Sequence, residues 1–347
     1  MNAPLQPTGP ANAARRPLWR LARTIVAGTV AGGLGTWGAA ALWFCAPLPI
    51  VARGLIAGMY AGVLVTAFVR YRSPARRWRV VVGCFAVVWV WWLTISPSND
   101  RDWSPDMAVL SHASVNGNSV TVHNVRHCDY RSTTDYDVRH EDVVYDLRTL
   151  RSVDLFLSVA GSGPIGHTMM SFGFDDGRYL CFSIEIRREK GERYSAVRGL
   201  FKQYELMYVV ADECDVVRLR TNYRQETVYC YRLKADADLI RAALLDYLQS
   251  VNDMREHPRW YNSLTRNCTT SIRRHFLPYI RESPWDWRIL ANGYLDELLY
   301  ERGVVSRDVS FDGLRARSRV NDRAMQAGKA PDFSDRIRQG LPVPHRG

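Results

Sequence analysis

Apolar residues dominate three long runs in the first part of the chain, and basic segments separate these runs. The first run, residues 24–45, holds 22 residues without a charge, which is long enough to cross a bilayer as a helix. The runs at 54–69 and 80–96 are shorter, so re-entrant segments are an alternative to spanning helices there. Tryptophans near the end of the third run suit a membrane–water interface. The pattern therefore predicts a three-helix membrane anchor over residues 18–97.

The pattern changes to shorter periods after the third run. Alternating apolar and polar residues predict a half-buried strand over 119–127, and a continuous apolar run predicts a buried strand over 153–160. Two β-rich runs flank residues 175–177, Asp-Asp-Gly, which is typical of a hairpin turn. Two further strands are predicted over 215–223 and 226–233.

Helical spacing follows the strands. Residues 235–251 carry apolar side chains at the spacing of an amphipathic helix, and another helix is predicted over 288–301, ending before Gly303. Asn267 is a good N-cap residue, so Cys268 is expected in the first turn of a helix. A sheet with helices packed at its ends predicts an α+β fold for this part of the chain.

The net charge of +11 is concentrated in the anchor. Residues 1–96 hold ten arginines and no acidic residue, so the remainder, with 36 basic and 35 acidic residues, is nearly neutral. A nearly neutral domain lacks the basic stripe that phosphate binding needs, and we expect no nucleic-acid partner. Arginines in the tail (1–17) and in the linker 70–79 predict that both are cytoplasmic, which places residues 98–347 on the opposite side of the membrane.

Seven cysteines are distributed unevenly. Cys45 and Cys84 lie in the apolar runs, where a thiol is a small apolar side chain. Five lie outside the anchor, and this odd number leaves at least one unpaired even in an oxidising compartment. These are Cys128, Cys181, Cys214, Cys230 and Cys268. There is no Cys-x-x-Cys pair and no Cys/His cluster at zinc spacing, so we expect neither a metal nor a cofactor.

Cys268 is the candidate nucleophile because the positive end of a helix favours thiolate over thiol. A nucleophilic cysteine also needs a base and donors for the developing oxyanion. His167 is the best candidate base, since a glycine-rich approach (Gly161, Gly163 and Gly166) lets a substrate come close to it. The alternatives are a strand histidine at a sheet surface and a cysteine that is disulfide-bonded or simply packed.

A third residue, Glu185, is the candidate for orienting the histidine. A three-residue turn at 175–177 pairs positions whose numbers sum to 352, which sets His167 opposite Glu185. A two-residue turn sets His167 opposite Ile186 instead, in which case Ser171 and Ser183 are alternative orienting residues. An exposed strand carboxylate is the other interpretation of Glu185.

Arginine-rich segments at 187–193 and 218–224 are candidates for gripping a phosphate or carboxylate, although such runs are more often solvated strand edges or loops. From them we predict Arg220 and Asn222 as substrate-binding residues. Tyr194, near the first segment, and Asn267, beside the candidate nucleophile, complete the predicted substrate contacts.

Chain order and six longer stretches carry a resemblance to a known family. A strand histidine about a hundred residues before an Asn-Cys at a helix start resembles circularly permuted papain-like enzymes, including the permuted NlpC/P60 group. The chain also resembles the DUF4105 family, related to the N-terminal periplasmic domain of the bacterial lipoprotein N-acyltransferase Lnb. The matching stretches are NVRHCDYRSTTDYDVR (124–139), YDLRTLRSVDLFLS (145–158), GPIGHTMMSFGF (163–174), SIEIRREKGERYSAVRGLFKQYELMYVVADECDVVRLRTN (183–222), WYNSLTRNCTTSIR (260–273) and NDRAMQAGKAPDFSDRIRQGLP (321–342).

The resemblance implies a permuted papain-like (NlpC/P60-like) fold with His167 and Cys268 as the catalytic pair. It also implies a bacterial inner-membrane protein with a periplasmic C-terminal domain, where membrane lipids, phospholipid acyl donors and lipoproteins are the expected partners. We therefore expect a cysteine acyltransferase or acyl hydrolase acting through a thioester. A cell-wall peptidase or amidase and a non-catalytic membrane-anchored binding module are the alternatives.

Overall fold

The structure is a computed structural model, and it describes residues 15–161, 163–279 and 284–344. The chain divides into two compact units, residues 1–96 and 97–347. Most of the predicted cytoplasmic tail, residues 1–14, lies outside the described residues.

Three helices make up the described part of the first unit: α1 (Arg15–Cys45), α2 (Ile50–Arg70) and α3 (Pro74–Thr94). Each contains a stretch long and apolar enough to cross a membrane, beginning at Leu18 in α1 and covering the whole of α2 and α3. The two shorter helices have 21 residues each, a length of about 32 Å at the rise of an α-helix, which matches the hydrocarbon core of a bilayer. Trp37 of α1 packs against Trp89 and Trp92 of α3.

The second unit is built on one eight-stranded sheet with the order β1-β2-β7-β6-β5-β4-β8, and β3 pairs with β2. Neighbouring strands are antiparallel except β2 and β7, which are parallel. The strands are β1 (His112–Asn116), β2 (Ser119–Tyr130), β3 (Tyr136–Asp146), β4 (Leu150–Val159), β5 (Gly166–Phe174), β6 (Tyr179–Arg187), β7 (Glu205–Ala211) and β8 (Thr227–Arg232).

Helices cover both faces of the sheet. One hydrophobic core joins the sheet to α5, α6 and α7, and a second joins it to α4, α9 and α10. The helices are α4 (Glu213–Arg218), α5 (Ala237–Glu256), α6 (Cys268–Phe276), α7 (Leu295–Glu301), α8 (Phe311–Ser318), α9 (Asn321–Ala327) and α10 (Phe333–Ile337). The domain is thus a mixed α/β structure in which, among the described elements, β1 to β7 precede α4 to α10 and only β8 lies between two of these helices.

The β5–β6 hairpin has the three-residue turn. Met169 pairs with Ser183 and Gly173 with Tyr179, so the paired positions sum to 352. The Phe174 N–H donates to the Arg178 carbonyl at 3.0 Å, which closes the loop. Gly177 has a φ of +79°, a left-handed conformation that favours glycine, and this fixes the loop length and the register.

Two predicted elements are wrong or incomplete. Residues 215–223, predicted as a strand, belong to α4 and to a π-helical turn, Leu219–Tyr223. The Asp212 side chain caps α4 by accepting from the Asp215 N–H, and this local signal outweighs the alternating pattern. The predicted helix over 288–301 is regular only from Leu295, because two 3-10 turns precede it.

Candidate active site

Cys268 is the first residue of α6, and the residue before it caps the helix. The Asn267 side chain accepts from the Thr270 N–H while the Thr270 hydroxyl accepts from the Asn267 N–H, both at 2.9 Å. This reciprocal pair is a capping box, and it fixes the point at which the chain enters the helix. The backbone N–H groups at the start of a helix have no carbonyl partner within it, and Cys268 and Thr269 lie at this end of α6. The predicted helix start is confirmed.

His167 and Cys268 lie in the wall of the same cavity, and each shifts the pKa of the other. Its Nε2 atom is 2.7 Å from Ser183 Oγ and 3.2 Å from Glu185 Oε1. Because Nε2 faces these two groups, Nδ1 is the ring nitrogen that remains for the thiol. Ser183 also donates to Glu185 Oε1 at 2.6 Å. The 352 register therefore brings the histidine and the carboxylate together from neighbouring strands.

Buried charges hold Glu185 in place. Arg220 donates to Glu185 Oε1 at 2.8 Å and to Glu226 Oε2 at 3.1 Å. Glu226 in turn accepts from Ser158, which pairs with His167 across β4 and β5. A continuous set of hydrogen bonds thus runs from the imidazole through two carboxylates and one guanidinium back to the neighbouring strand.

The electrostatics favour a charged pair. Burial by itself would raise the pKa of the Cys268 thiol, but the charge and hydrogen bond of His167, with hydrogen bonds from Thr168, lower it to about 6. Burial and the charge of Arg220 lower the pKa of His167, yet Glu185 and Cys268 outweigh them and raise it to about 9. Burial would raise the pKa of Glu185, but His167 and Arg220 hold it well below its usual range. Between these values thiolate and imidazolium coexist.

Asn292 is a site residue that the sequence analysis missed. Its side-chain amide is 3.7 Å from Cys268 Sγ and donates to Thr269 Oγ1 at 2.7 Å. Its carbonyl oxygen accepts from the Gly166 N–H at 2.7 Å. The Asn292-Gly293 pair is a turn signal inside the predicted 288–301 helix, and this signal could have marked the residue. Gly293 packs against the backbone around Pro164, so closely that a Cβ atom would lie within 2.9 Å of it.

A cavity of about 860 Å³ opens onto the pair. His167, Glu185 and Cys268 lie in its wall together with Asn267 and Asn292. Much of the remaining wall is apolar, with side chains from the sheet, from α4 and from the loops before α6 and α7: Met107, Ile165, Ile184, Ile186, Val216, Leu219, Tyr261, Leu264 and Leu290. Ile165 and Leu264 are 62% and 53% exposed, so part of the apolar wall reaches the surface. We call this space the thiol cavity.

Three of the four predicted substrate-binding residues line the thiol cavity, and the fourth does not. Tyr194 and Asn267 line the thiol cavity, and Tyr194 is 53% exposed there. Arg220 also lines it, but its guanidinium is engaged by Glu185 and Glu226. Asn222 lies on the π-helical turn and contacts Thr221 and the Ala324 carbonyl, away from the cavity wall. Binding by these four residues stays a prediction.

All seven cysteines lie among the described residues, and none of them forms a disulfide there. Burial raises the pKa of Cys181 and Cys230 well above the usual value, and raises that of Cys214 to about 11. Within the described part of the chain, no group of three or more His, Cys, Asp or Glu side chains is placed to hold a metal ion.

The arrangement provides the groups that acyl chemistry needs. The Cys268 thiol, the His167 imidazole and the Glu185 carboxylate lie together in the wall of a largely apolar cavity. Asn292 Nδ2 adds a side-chain donor beside the sulfur, where an oxyanion would develop. The geometry can therefore support attack on a carbonyl carbon followed by protonation of the leaving group.

Comparison with known proteins gave one family. The model of the family described as the Lnb N-terminal periplasmic domain matches residues 136–293. The matched part begins in β3, ends just after Asn292 and includes His167, Glu185 and Cys268. Searches of curated proteins and of solved structures gave no match. The chain thus has three helices long and apolar enough to cross a membrane, and residues 136–293 of its second unit are similar to the N-terminal periplasmic domain of Lnb.

Proposed function

We propose that this protein is a membrane-anchored thiol acyltransferase or acyl hydrolase that acts on lipids or lipoproteins. The observation that carries the proposal is the largely apolar thiol cavity with Cys268, His167 and Glu185 in its wall. A cavity of about 860 Å³ is within the range that encloses a ligand with long apolar parts. The similarity to the Lnb domain supports the same assignment, because the resemblance noted above is to a lipoprotein N-acyltransferase.

The chemistry proceeds in two steps. The Cys268 thiolate attacks the carbonyl carbon of an acyl ester, a C–S bond forms, and the C–O ester bond breaks. His167 gives its proton to the departing alkoxide, which leaves as an alcohol such as a lysolipid. An amine, or water, then loses a proton to His167 as it attacks the thioester, and the products are an amide or a free fatty acid with the thiolate restored. The first-turn N–H of Cys268 and Asn292 Nδ2 stabilise both tetrahedral oxyanions.

The proposal extends to fold and orientation. We infer a permuted papain-like (NlpC/P60-like) core of the DUF4105 type, because strands that carry the histidine precede the helix that carries the cysteine. The basic linker 70–79 favours a cytoplasmic position, so the second unit faces the periplasm of a bacterial inner membrane. There the substrates available to the thiol cavity are membrane lipids and the acylated ends of lipoproteins.

A cell-wall peptidase or amidase is the second candidate, and it shares the thiol and the histidine. Peptide substrates favour a polar groove, whereas the thiol cavity is rich in aliphatic side chains. A non-catalytic binding module remains the third candidate. It is weakened by the unpaired state of Cys268 and by the lowered pKa of its thiol.

The test compares full-length protein with its Cys268→Ser variant in bilayers that contain phospholipid and a lipoprotein with a free N-terminal amine. We expect wild type to form lysolipid together with N-acylated lipoprotein or fatty acid. We expect Cys268→Ser to lose this activity about ten-thousandfold or more. Cys128→Ser is the matched control, because it removes another buried, unpaired thiol. Equal lipid and lipoprotein profiles for wild type and Cys268→Ser would refute the proposal, and cleavage of cell-wall peptides alone would establish the second candidate.

A further inference from the structure

A second cavity, of about 260 Å³, adjoins the thiol cavity, and we call it the side pocket. The two share wall residues, so they are adjacent. The shared residues are Asp106, Tyr130, Arg188, Leu219 and Arg224. The side pocket is therefore the space next to the thiol cavity on the side of Arg188 and Arg224.

The walls of the side pocket differ in chemistry from those of the thiol cavity. Ser104, Thr133 and Thr134 bring hydroxyl groups to it, and Arg188 and Lys190 bring positive charge. Most of the wall area of the thiol cavity is apolar instead, and Arg188 and Arg224 lie in both walls. The two spaces together suit an elongated molecule with an apolar part and a compact polar part.

Arg224 lines both cavities, and its guanidinium has few polar partners among the described residues. It makes no side-chain hydrogen bond to any residue in the part of the chain that the structure describes, and its ion pair with Glu226 Oε1 is long, at 3.9 Å. The other carboxylate oxygen of Glu226 already accepts from Arg220 and Ser158. Burial and the neighbouring charge of Arg220 lower the pKa of Arg224, so an additional anion would stabilise its charge.

Each carboxylate of the side pocket already has a hydrogen-bond or ion-pair partner. Asp106 accepts from Ser104, Tyr136 and Arg188. Glu189 pairs with Arg101, and Glu192 accepts from Arg198 and from the Glu189 N–H. Lys190 pairs with Asp102 at 2.6 Å. Arg224 is thus the cation of this pocket with the weakest compensation among the described residues, and its planar fork fits two oxygens of one anion.

We propose that the side pocket binds the phosphodiester headgroup of a phospholipid acyl donor, with Arg224 and Arg188 on the phosphate and the acyl ester at Cys268. This inference rests on the proposed function and specifies its donor. A glycerophospholipid carries its phosphate a few bonds from its acyl esters and its chains beyond them. A polar pocket with arginines beside an apolar cavity with a thiol follows the same order.

The experiment compares two donors with identical chains, phosphatidylglycerol and diacylglycerol, in deacylation by the full-length protein. We expect wild type to prefer phosphatidylglycerol. Arg224→Gln is expected to lower the ratio of the two kcat/KM values about tenfold to a hundredfold, because charge-assisted hydrogen bonds to the phosphate are lost. Arg188→Gln is expected to lower it less, since this guanidinium also serves Asp106. Arg148→Gln, which removes an exposed arginine paired with Asp146, is the control and should leave the ratio unchanged.

Each other outcome overturns the inference. If Arg224→Gln lowers both rates equally, the residue has a structural role. If wild type treats the two donors alike and inorganic phosphate alone binds at Arg224, the pocket holds a free anion and not a headgroup.

A binding measurement separates this inference from the proposed function. If wild type deacylates neither lipid, nor a simple ester such as p-nitrophenyl butyrate, the proposed chemistry fails. Binding of sn-glycerol 3-phosphate, measured by phosphorus NMR on Cys268→Ser protein, still tests the pocket. Binding that Arg224→Gln abolishes would support the headgroup site even then, and absence of binding would overturn it.

Discussion

Cys268 and Cys128 are both buried, unpaired thiols with a cationic side chain nearby, yet their chemistry is opposite. Burial and the negative charge of Asp215 raise the pKa of Cys128 to about 12, although the charge of Arg126 lowers it in part. Burial also acts on Cys268, but His167 and Thr168 lower its pKa to about 6. The same residue type is thus inert on β2 and ionised at the start of α6.

The two thiols differ because the neighbouring cations interact with different groups. Arg126 forms a bidentate pair with Asp215, at 2.8 Å for both hydrogen bonds, so its charge is already compensated. His167 is held by Glu185 on one side, and its charge and hydrogen bonding lower the pKa of the Cys268 thiol. A nearby cation is therefore not enough to activate a thiol; the cation must act on the sulfur itself.

His275 differs from His167 in a similar way. His275 also contacts a carboxylate and a hydroxyl, with Nδ1 at 2.6 Å from Asp246 and Nε2 at 2.8 Å from Tyr208. It lies on α6 like Cys268, but it is 2% exposed and packs against Tyr247. Burial outweighs the Asp246 hydrogen bond and lowers the pKa of His275. A histidine–carboxylate pair gains a chemical role only beside a nucleophile and a cavity.

The largest effect is expected from a substitution that raises the pKa of Cys268 toward that of Cys128. His167→Gln removes the imidazolium, so burial should move the pKa of Cys268 from about 6 to above 9, the ordinary value for this thiol. Turnover of an acyl ester should fall about a hundredfold to ten-thousandfold. The measurement is the pH midpoint of alkylation at Cys268 together with the rate of ester cleavage.

The control for this change is His123→Gln, which removes a strand histidine that pairs with Asp142 at a partly exposed site. It should leave both quantities as in wild type. An unchanged alkylation midpoint in His167→Gln would contradict the assignment of His167 as the group that ionises the thiol.

A second experiment compares the labelling rates of the two cysteines in the unmodified protein. At pH 7, iodoacetamide should label Cys268 about a hundredfold or more faster than Cys128, since the larger thiolate fraction outweighs the lower nucleophilicity of a more acidic thiol. Labelling of Cys268 should decline as the pH falls through about 6. Peptide mass spectrometry of full-length protein reports both rates. Similar labelling of the two cysteines in folded protein would remove the basis of the comparison, and equal labelling after denaturation is the control.

A smaller effect is expected when only the orienting charge is removed. Glu185→Gln keeps the size of the side chain but should lower the pKa of His167, because Glu185 favours the imidazolium. The pKa of Cys268 should then rise by about one unit, and ester cleavage near pH 6 should fall about tenfold. The pH profile of cleavage is the measurement. Asp142→Asn, which removes the carboxylate partner of His123, should leave that profile unchanged. A loss of activity that does not depend on pH would argue against this role.

The smallest effect concerns the helix start. Asn267→Ala removes the cap and should lower the free energy of unfolding by about 1 kcal/mol. Asn267→Ser keeps a capping oxygen and should retain most of the stability. Thermal unfolding of full-length protein in detergent gives the comparison. If Asn267→Ala were as stable as wild type, the capping box would not contribute to stability at α6.

Local sequence determined more of the site than its short motifs suggest. Asn267 and Thr270 are three residues apart, so the cap that places Cys268 needs no distant partner. Gly177 marked the turn but left two loop lengths open, and the loop length fixes which β6 residue meets His167. The length and the apolar composition of the runs were likewise sufficient to predict the three apolar helices, because these two properties decide whether a helix can span a bilayer.

Other parts of the site depend on contacts between residues far apart in the chain. Arg220 was expected to bind a substrate, yet its guanidinium donates to Glu185 on β6 and to Glu226 just before β8. Asn292 reaches Cys268 only because the turn at Gly293 packs against the backbone of Pro164. The segment 215–223 alternates like a strand, but the cap at Asp212 and the buried pair of Asp215 with Arg126 make it helical.

The sequence by itself thus determined the apolar helices and the cysteine at a helix start, and it narrowed the residue opposite His167 to Glu185 or Ile186, since each depends on local periodicity, capping or turn geometry. Only the tertiary structure selected the register that sets His167 opposite Glu185. It also decided the lowered pKa of Cys268, the position of Asn292 and the adjacency of the thiol cavity and the side pocket. These properties arise from burial and from charges that meet across the sheet, and neither is encoded in the spacing of residues along the chain.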